Sequence, residues 1–317
     1  MKNMSSSFLR GIVSKLVGQR MVVIAYHRVL YSKDALFPDI IDRFEFEEQI
    51  KILKKYFNVM RLDDAVVRLQ HGTLPDATVC ITFDDGYLDN YEVALPLLKK
   101  HCLPATFFVA TGFIGNGMMW NDSIIELVRS IQSEKVDLSD IGLPVLDVSS
   151  AANKRKAIDL ILNSIKYDPF FERSKKIESL CEGFGWCNLI DMMMNEAQIR
   201  ELSSAGMEIG AHTVNHPILS RVSDEDAEKE ICDSKADLEN ILSHEVTSFA
   251  YPNGRYQQDF GDEHINIVKN VGFNCSVSTD WAGVAGNNVS MFRLPRVGFI
   301  EKSKSRFIFK LIKSFYE

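Results

Sequence analysis

Two adjacent carboxylates, Asp84 and Asp85, directly follow an apolar, mostly β-branched run over residues 79–83, and Gly86 comes next. Aspartate is depleted in strands and neighbouring like charges repel, so something must stabilise this pair. One interpretation is a strand-to-helix turn, with Asp89 and Asn90 near the N-terminus of the helix. The other is a metal site, in which one carboxylate binds a cation and its neighbour acts as a base. The pair alone leaves both interpretations open.

Two histidines with metal-ligand spacing follow another predicted strand. His212 and His216 are four residues apart, directly after an apolar segment over residues 207–211. They can reach one metal if the segment turns helically after the strand. Divalent metals such as zinc accept two imidazoles and one carboxylate and keep an open position. Together with the aspartate pair, the histidines favour the metal site over the plain turn.

Seven apolar segments are predicted to be strands, mostly separated by segments of helical periodicity, among them residues 91–102, 224–242 and 262–271. They begin near residues 21, 78, 105, 207, 247, 273 and 292. This alternation is typical of a parallel α/β fold. Polar side chains directly follow the segments, and in an α/β barrel such positions converge at the carboxyl ends of the strands. The residues concerned are His27, Asp84, Asp85, His212, Asn253 and Asp280.

The chain is predicted to form one barrel domain over 1–317, interrupted by a helical insertion at about 120–196. The insertion is predicted because that stretch is helix-rich and irregular, with polar clusters. Amphipathic helices are predicted at both ends, over about residues 6–18 and 302–316, where basic and apolar residues interleave. Such helices either close the fold or lie on an anionic membrane surface.

Composition restricts the class of protein further. A net charge of −7 argues against a dedicated nucleic-acid binder, whose binding surface would be basic. The six cysteines form no CxxC pair, which indicates reduced thiols rather than a disulfide framework. No apolar run approaches the ~20 residues of a membrane-spanning helix, and charges interrupt any secretory hydrophobic region. We therefore expect a cytoplasmic protein, with membrane association on the inner face as an option.

Three motifs resemble the successive motifs of the polysaccharide deacetylase family. They are Thr82-Phe83-Asp84-Asp85-Gly86, His212-Thr213-Val214-Asn215-His216 and Phe249-Ala250-Tyr251-Pro252-Asn253-Gly254. The resemblance extends over roughly residues 20–299, with the insertion outside it. It implies a distorted (β/α)7 barrel and one divalent metal ion, Zn²⁺ first and Co²⁺, Ni²⁺ or Mn²⁺ as alternatives. It also implies that Asp85, His212 and His216 bind the metal and that Asp84 is the general base.

Two departures from the family pattern affect the proposed catalytic residues. Ala250 stands where the family usually has an arginine that orients the base, so Arg293 and Arg296 become candidates, unless they are surface arginines. The usual C-terminal histidine motif, source of the general acid, is absent. His27, after the first strand, resembles the N-terminal histidine of a circularly permuted subgroup, which implies that it is the acid. Otherwise it caps a buried turn.

The remaining predicted site residues would contact the substrate. Asp280-Trp281 resembles the family's fourth motif, although a core tryptophan is an alternative interpretation. The backbone amide of Asn253 could form an oxyanion hole. The full predicted substrate-binding set is Asn253, Tyr251, Trp281, Asp280, Arg296 and Trp120. The other four histidines are interpreted as ordinary surface or loop residues: His71, His101, His244 and His264.

The expected function is that of a metal-dependent hydrolase. The substrate would be an N-acylated, most simply N-acetylated, amino sugar of a polysaccharide or its precursor. A deformylase or deacetylase of a lipid-linked or nucleotide-linked sugar in surface-polysaccharide assembly is one alternative. A non-catalytic carbohydrate-binding relative is another, since two family residues are missing. Besides the sugar substrate, a membrane surface is a candidate partner, which the basic amphipathic termini would contact. No nucleic acid is expected as a partner.

Overall fold

A parallel sheet forms the centre of the molecule, in a computed structural model that describes residues 2–115, 117–186, 190–285, 290–298, 301 and 303–317. Its order is β10-β1-β3-β4-β7-β8-β9, with β2 paired to β3 and β11 paired to β1. The strands of this sheet are β1 (Arg20–Tyr26), β2 (Asn58–Met60), β3 (Thr78–Phe83), β4 (Thr106–Val109), β7 (Glu208–Ala211), β8 (Ser248–Ala250), β9 (Cys275–Val277), β10 (Val284–Ala285) and β11 (Arg296–Val297). The intervening β5 (Lys135–Val136) and β6 (Leu146–Asp147) form a separate antiparallel pair.

The sheet nearly closes on itself. Val277 at the end of β9 bridges Leu294 in parallel, and two residues later β11 pairs in parallel with β1. The segment at 294–297 therefore joins the last strand of the sheet to the first. The prediction of an α/β fold with a distorted (β/α)7 barrel is confirmed.

Helices alternate with the strands as the periodicity predicts. The apolar sides of these helices pack against the sheet. Several helices begin with an N-cap: at α2 the Asp42 carboxylate accepts from the N–H groups of Phe44 and Glu45, at 3.0 and 2.9 Å. The helices are α1 (Lys2–Val17), α2 (Arg43–Tyr56), α3 (Leu62–Gln70), α4 (Leu95–His101), α5 (Trp120–Ser130), α6 (Ala151–Ile165), α7 (Phe170–Gly183), α8 (Glu196–Ser204), α9 (Asp224–Leu242), α10 (Asp262–Val271) and α11 (Lys304–Ser314).

Strand register sets which side chains emerge together at the carboxyl end of the barrel. Tyr26 is opposite Phe83 in the β1–β3 pair, so the next residues, His27 and Asp84, leave the sheet at the same level. All six residues of β3 are buried, and the Phe83 ring stacks on Phe107 of the next strand at 4.7 Å. This packing fixes the end of β3 and hence the position of the two aspartates.

The stretch that contains α5, α6 and α7 has an apolar cluster of its own. Ile124 and Leu127 of α5 pack with Ile158 and Ile161 of α6, all of them buried. These helices lie beside the barrel mouth and contribute to the cavity described below. Part of the predicted insertion, residues 187–189 with Cys187, and the first residue of the predicted C-terminal helix, Lys302, are outside the described residues.

Two predicted elements differ in detail, and one short strand was not predicted. The helix predicted over 91–102 begins as a π-helical turn, Asn90–Ala94, because Pro96 has no N–H to donate to the preceding turn. The strand predicted over 292–297 contracts to β11, since Pro295 also lacks a donor for a ladder bond. Strand β2 was not predicted, because three residues are too few to show a period. Among the described residues, no helix combines the length and apolarity needed to span a membrane.

Candidate metal centre and active site

The loops at the carboxyl end of the barrel adopt strained backbone conformations where the candidate site residues lie. Asp85 has φ +76°, and Gly86 follows with φ +90°. His216 and Asn253 also have positive φ, at +52° and +59°. Non-glycine residues in this region cost energy and tend to persist where the surrounding structure requires them. Strain at three candidate residues is consistent with a functional site.

Asp85, His212 and His216 converge at one point. The Nε2 atoms of both histidines lie 3.5 Å from Asp85 Oδ1, and the potential ligand atoms are all within 4.8 Å of one another. Ligand atoms that share one zinc ion in tetrahedral geometry are roughly 3.4 Å apart. Asp85 Oδ1 is buried and has no hydrogen-bond partner among the described residues, which is costly for a carboxylate oxygen. The donor set therefore fits a divalent cation.

Hydrogen bonds orient the two imidazoles. His212 Nδ1 donates to the Ala250 carbonyl at 2.7 Å, which leaves Nε2 facing Asp85. Glu230 holds the loop between the histidines, because its carboxylate accepts from the Val214 and Asn215 N–H groups at 2.9 and 2.8 Å. The segment after the strand does not turn helically, which the sequence reasoning had set as the condition for both histidines to reach one metal. The loop instead reverses through left-handed conformations at Thr213 and His216.

Burial and charge set the protonation states of this trio. Burial, and then the neighbouring His212, lower the pKa of His216 to about 4, so its imidazole is neutral at pH 7, the form that binds metals. For Asp85, burial alone would raise the pKa. The imidazoles of His212 and His216, whose Nε2 atoms lie 3.5 Å from its Oδ1, outweigh the effect of burial and hold the pKa of Asp85 well below its usual value. The carboxylate is therefore ionised and available as a ligand.

Asp84 is paired with an arginine from the opposite end of the chain. Arg296 is fully buried, and its Nη1 and Nη2 donate to Asp84 Oδ1 and Oδ2 at 2.6 and 2.7 Å. Burial would raise the pKa of Asp84, but Arg296 and His212 outweigh it and the pKa is lowered. The carboxylate is thus ionised and held in one orientation. Arg293, the other candidate, instead lies over the Tyr256 ring at 4.1 Å.

His27 reaches the same site from the end of β1. Its Nε2 is 3.9 Å from Asp84 Oδ2, beyond direct hydrogen-bond distance, and its side chain is 58% exposed. The Asn90 side-chain amide donates to the His27 carbonyl at 2.8 Å and fixes this backbone. The imidazole consequently stands at the mouth of the site, where it faces solvent on one side and Asp84 on the other.

Two cavities meet at this centre. One, of about 340 Å³, is lined by His27, Asp84, Asp85, His212 and His216, together with residues of the α5–α7 stretch. The other, of about 590 Å³, is lined largely by apolar side chains such as Phe37 and Ile40. His27 and Asp85 border both cavities. The candidate metal centre therefore lies between two compartments of different polarity.

The predicted substrate residues differ in how they face these cavities. Asn253 lines the first cavity, and its carbonyl accepts from Thr279 Oγ1 at 2.7 Å. Trp120 lines it too, at the start of α5. Trp281 lines the second cavity and is 48% exposed, so it is not a core tryptophan.

Two other predicted substrate residues serve the framework of the site. Tyr251 lines the first cavity, but its ring stacks on Phe260 at 3.7 Å and its hydroxyl donates to the Phe292 carbonyl at 3.1 Å. Asp280 lines neither of these two cavities. Its carbonyl accepts from the Arg296 N–H at 3.1 Å, so it supports the residue that holds Asp84.

Sequence reasoning missed two basic groups at the site, and it did not predict that Asp122, expected beside Trp120 at the edge of the substrate groove, is buried. Lys166 and Arg173, from the α6–α7 stretch, line the first cavity, and the Arg173 guanidinium lies 4.6 Å from the centre of the Trp120 ring. Asp122 is buried and accepts from the Tyr87 hydroxyl at 3.0 Å; burial outweighs the nearby Arg28 charge and raises its pKa to about 7. Charged residues in an irregular helical stretch carry no periodic signal that would assign them to a cavity.

One histidine interpreted as an ordinary surface residue is buried. His264, in the first turn of α10, is only 2% exposed, and its Nδ1 accepts from the Gly261 N–H at 3.0 Å. It caps the helix and lies outside both cavities. A capping histidine is not visible in a hydrophobic pattern, which is why the interpretation was wrong.

Comparison with known proteins places this fold and site in context. YxkH of Bacillus subtilis, named as a candidate polysaccharide deacetylase, is 22% identical over 88% of this chain and 71% of its own length. The poly-β-1,6-N-acetyl-D-glucosamine N-deacetylase of Staphylococcus aureus is 26% identical over 54% of this chain, a match that spans only 60% of that protein.

Two solved structures share the fold of this chain. The Streptococcus pyogenes deacetylase PplD, in complex with acetate, superposes with a TM-score of 0.64 at 19% identity, covering 92% of this chain and 98% of that one. IcaB from Ammonifex degensii gives 0.61 at 20% identity, covering 95% and 98%.

The family model for polysaccharide deacetylases matches residues 71–158 and 170–276. The match runs through most of the stretch at 120–196, which the sequence resemblance had left out. It includes the aspartate pair and both histidines of the candidate metal centre. The chain belongs to the polysaccharide deacetylase family.

Proposed function

We propose that the protein is a metal-dependent hydrolase that removes an N-acyl group, most simply acetyl, from an amino sugar of a polysaccharide. One observation carries the metal dependence: the buried, unpartnered Asp85 Oδ1 faces the Nε2 atoms of His212 and His216 at 3.5 Å each. The named activity of the Staphylococcus aureus relative supports an N-acetylated sugar as substrate. Zn²⁺ is the expected cation, with Co²⁺, Ni²⁺ and Mn²⁺ as alternatives, because two imidazoles and one carboxylate suit all of them.

Asp84 and His27 divide the proton transfers. A divalent cation bound at Asp85, His212 and His216 would supply a Lewis acid for the acyl carbonyl. Asp84 accepts the proton of the attacking water, since it is ionised and its orientation is held by two bonds from Arg296. His27 protonates the departing amine. Its exposed imidazole can exchange protons with solvent and lies 3.9 Å from Asp84.

The cavity walls provide orientation for the substrate. The Asn253 amide, in a left-handed turn beside the centre, is suited to stabilise the oxyanion that develops on the acyl group. Trp120 and Trp281 offer aromatic surfaces for sugar rings in the two cavities. The complete metal-ligand set weighs against the non-catalytic alternative.

A second candidate substrate, a sugar linked to a lipid or nucleotide through phosphate, is favoured by one observation. Lys166 and Arg173 place two cationic side chains in the wall of the first cavity. Arginine and lysine are the usual binders of phosphate oxygens. Lys166→Gln should raise KM for a phosphate-linked N-acetyl sugar and leave KM for a neutral oligomer unchanged if this candidate is correct.

The deciding experiment is an amine-release assay with N-acetylglucosamine oligomers, a poly-N-acetylglucosamine and a nucleotide-linked N-acetyl sugar, with chelator or with added Zn²⁺. We expect activity on the oligomers and polymer that is lost with chelator and restored by Zn²⁺. Asp84→Asn should lower kcat at least about a hundredfold while metal content stays the same. His27→Gln should do so too and flatten one limb of the pH profile. Full activity in chelator, or in Asp84→Asn, would refute the proposed chemistry.

A further inference from the structure

Helix α1 has two apolar faces, and only one of them packs on the barrel. Val13 and Val17 contact the main core, and Val17 is only 3% exposed. Phe8, Ile12 and Leu16 are 70%, 47% and 58% exposed. They follow one another at four-residue intervals and so form one stripe along the helix. This stripe is apolar yet faces solvent.

The C-terminal helix extends this exposed stripe. Phe309 and Tyr316 are 69% and 51% exposed and seven residues apart, so they lie on the same face of the terminal segment, whereas Leu311 is buried beneath. The Tyr316 hydroxyl donates to the Leu16 carbonyl, and the Arg20 guanidinium lies 4.4 Å from the centre of the Tyr316 ring. We call the joined area the terminal surface, made of Phe8, Ile12, Leu16, Phe309 and Tyr316.

The charge around the terminal surface is opposite in sign to that of the rest of the chain. Residues 1–20 contain four basic and no acidic residues, and residues 301–317 contain five basic and two acidic ones. The chain as a whole has net charge −7, so residues 21–300 carry −14. Lys304, Lys310 and Lys313 form exposed ion pairs with carboxylates, but such pairs contribute little and are readily exchanged.

A basic depression lies at the junction of the two helices. It has a volume of about 580 Å³ and is lined by Lys15 and Arg20 together with Leu16 and Tyr316. Cations set beside exposed apolar and tyrosine side chains are the combination found where proteins meet lipid headgroups. A neutral protein partner would not require this concentration of positive charge.

The end of the terminal surface formed by Leu16 and Tyr316 lies near the start of β3, opposite the aspartate pair, whereas Glu317 beside it accepts from Trp281 Nε1 of the second cavity at 2.8 Å. Gly18, which follows α1, accepts from the Ala77 N–H at 2.8 Å, directly before β3 begins. Asp84 and Asp85 follow the other end of β3, six residues and roughly 20 Å away. A membrane bound at Leu16 and Tyr316 therefore lies away from the aspartate pair.

We infer that the terminal surface binds peripherally to an anionic lipid bilayer and keeps the aspartate pair toward the aqueous side. The exposed aromatic and aliphatic side chains enter the headgroup region, and the basic residues contact lipid phosphates. This attachment is separate from the proposed hydrolase activity and does not depend on it.

Vesicle co-sedimentation tests the inference directly. The full chain should sediment with vesicles of phosphatidylglycerol and phosphatidylcholine in equal parts, and not with phosphatidylcholine alone. Lys15→Gln and Arg306→Gln should each weaken binding about fivefold, since each removes one charge near an anionic surface. The double variant Phe8→Ser/Phe309→Ser should weaken it at least about tenfold. Phe171→Ser, which changes another exposed phenylalanine outside the terminal surface, is the matched control and should bind normally.

Two further measurements distinguish other occupants and test the orientation. Sedimentation velocity without vesicles should show only monomer over a wide concentration range. A dimer that disappears in Phe8→Ser/Phe309→Ser would instead assign the terminal surface to a second copy of the chain and overturn the inference. Equal binding to neutral and anionic vesicles, or none to either, would also overturn it. Amine release from a soluble oligomer should be unchanged on vesicles, whereas its inhibition would contradict the orientation.

Discussion

Replacing Arg296 with methionine tests the link between a buried ion pair and the proposed base. Methionine keeps most of the volume but removes both bonds to Asp84, at 2.6 and 2.7 Å, and leaves a buried, unpaired carboxylate. Breaking a buried pair in this way costs about 3–5 kcal/mol of unfolding free energy at neutral pH. Arg293→Met is the matched control, because that arginine comes from the same Phe-Arg-Leu-Pro-Arg sequence but contacts only the Tyr256 ring in the described structure.

The loss should depend on pH with a defined sign. In the wild type the pKa of Asp84 is lowered, so the pair stabilises the fold above the unfolded pKa of 3.8, and this stabilisation disappears as pH falls through the folded value. In Arg296→Met, burial without the arginine raises that pKa. Ionising Asp84 then costs stability as pH rises above 3.8. The destabilisation relative to wild type should therefore be larger at pH 8 than at pH 5.

Urea unfolding at both pH values, with amine release measured in parallel, gives the readout. We expect kcat to fall by about two to four orders of magnitude at pH 7 and to recover partly at higher pH, as Asp84 ionises again. The double variant Asp84→Asn/Arg296→Met should be more stable than Arg296→Met alone, since the unpaired carboxylate at position 84 is gone. Arg296→Lys should retain part of both properties. If Arg296→Met matched Arg293→Met in stability and pH profile, the assignment of the pair to the base would be wrong.

Three further changes give separate expectations. Asp85→Ala removes the carboxylate that faces both histidines, so elemental analysis should find almost no bound metal. Unchanged metal content would reject the proposed site. As pH rises from 5 to 8, the stability of Glu208→Gln relative to wild type should increase by up to about 3 kcal/mol in urea unfolding. Burial raises the pKa of Glu208 to about 7, so its ionisation destabilises the wild type over this pH range. Gly112→Ala places a methyl group 2.9 Å from the Val214 carbonyl, in the loop between His212 and His216. Metal binding, measured by competition with a chelating dye, should weaken ten- to a hundredfold. Gly183→Ala, where the added methyl group meets nothing within 4 Å, should bind metal normally.

The framework could be predicted because its signals are local. The bounds of α9 and α10 coincide with the predicted 224–242 and 262–271, since both have long apolar periods and defined ends. The convergence of Asp85, His212 and His216 could be predicted from their positions after parallel strands. Neither inference needs knowledge of a distant side chain.

The parts that could not be predicted depend on contacts between distant residues. Arg293 and Arg296 are three positions apart in one short segment, and only the barrel closure decides that Arg296 turns inward to Asp84. The left-handed loop through Thr213 depends on Glu230 of α9, sixteen residues from Val214. Lys166 and Arg173 reach the cavity through the packing of α6 and α7 beside the barrel. Periodicity contains none of this information.

The pairing of β1 with β11 also separates two stages in the assembly of the site. The three candidate metal ligands, Asp85, His212 and His216, lie within residues 85–216, in the middle of the chain. The arginine that orients Asp84 is Arg296, and it comes from β11, which meets β1 only when the barrel closes. Contacts of such long sequence separation carry a large loop-closure cost and form late in folding. A chain whose barrel has not yet closed would therefore already hold the three candidate metal ligands together, but it would lack the oriented Asp84 on which the proposed hydrolysis depends.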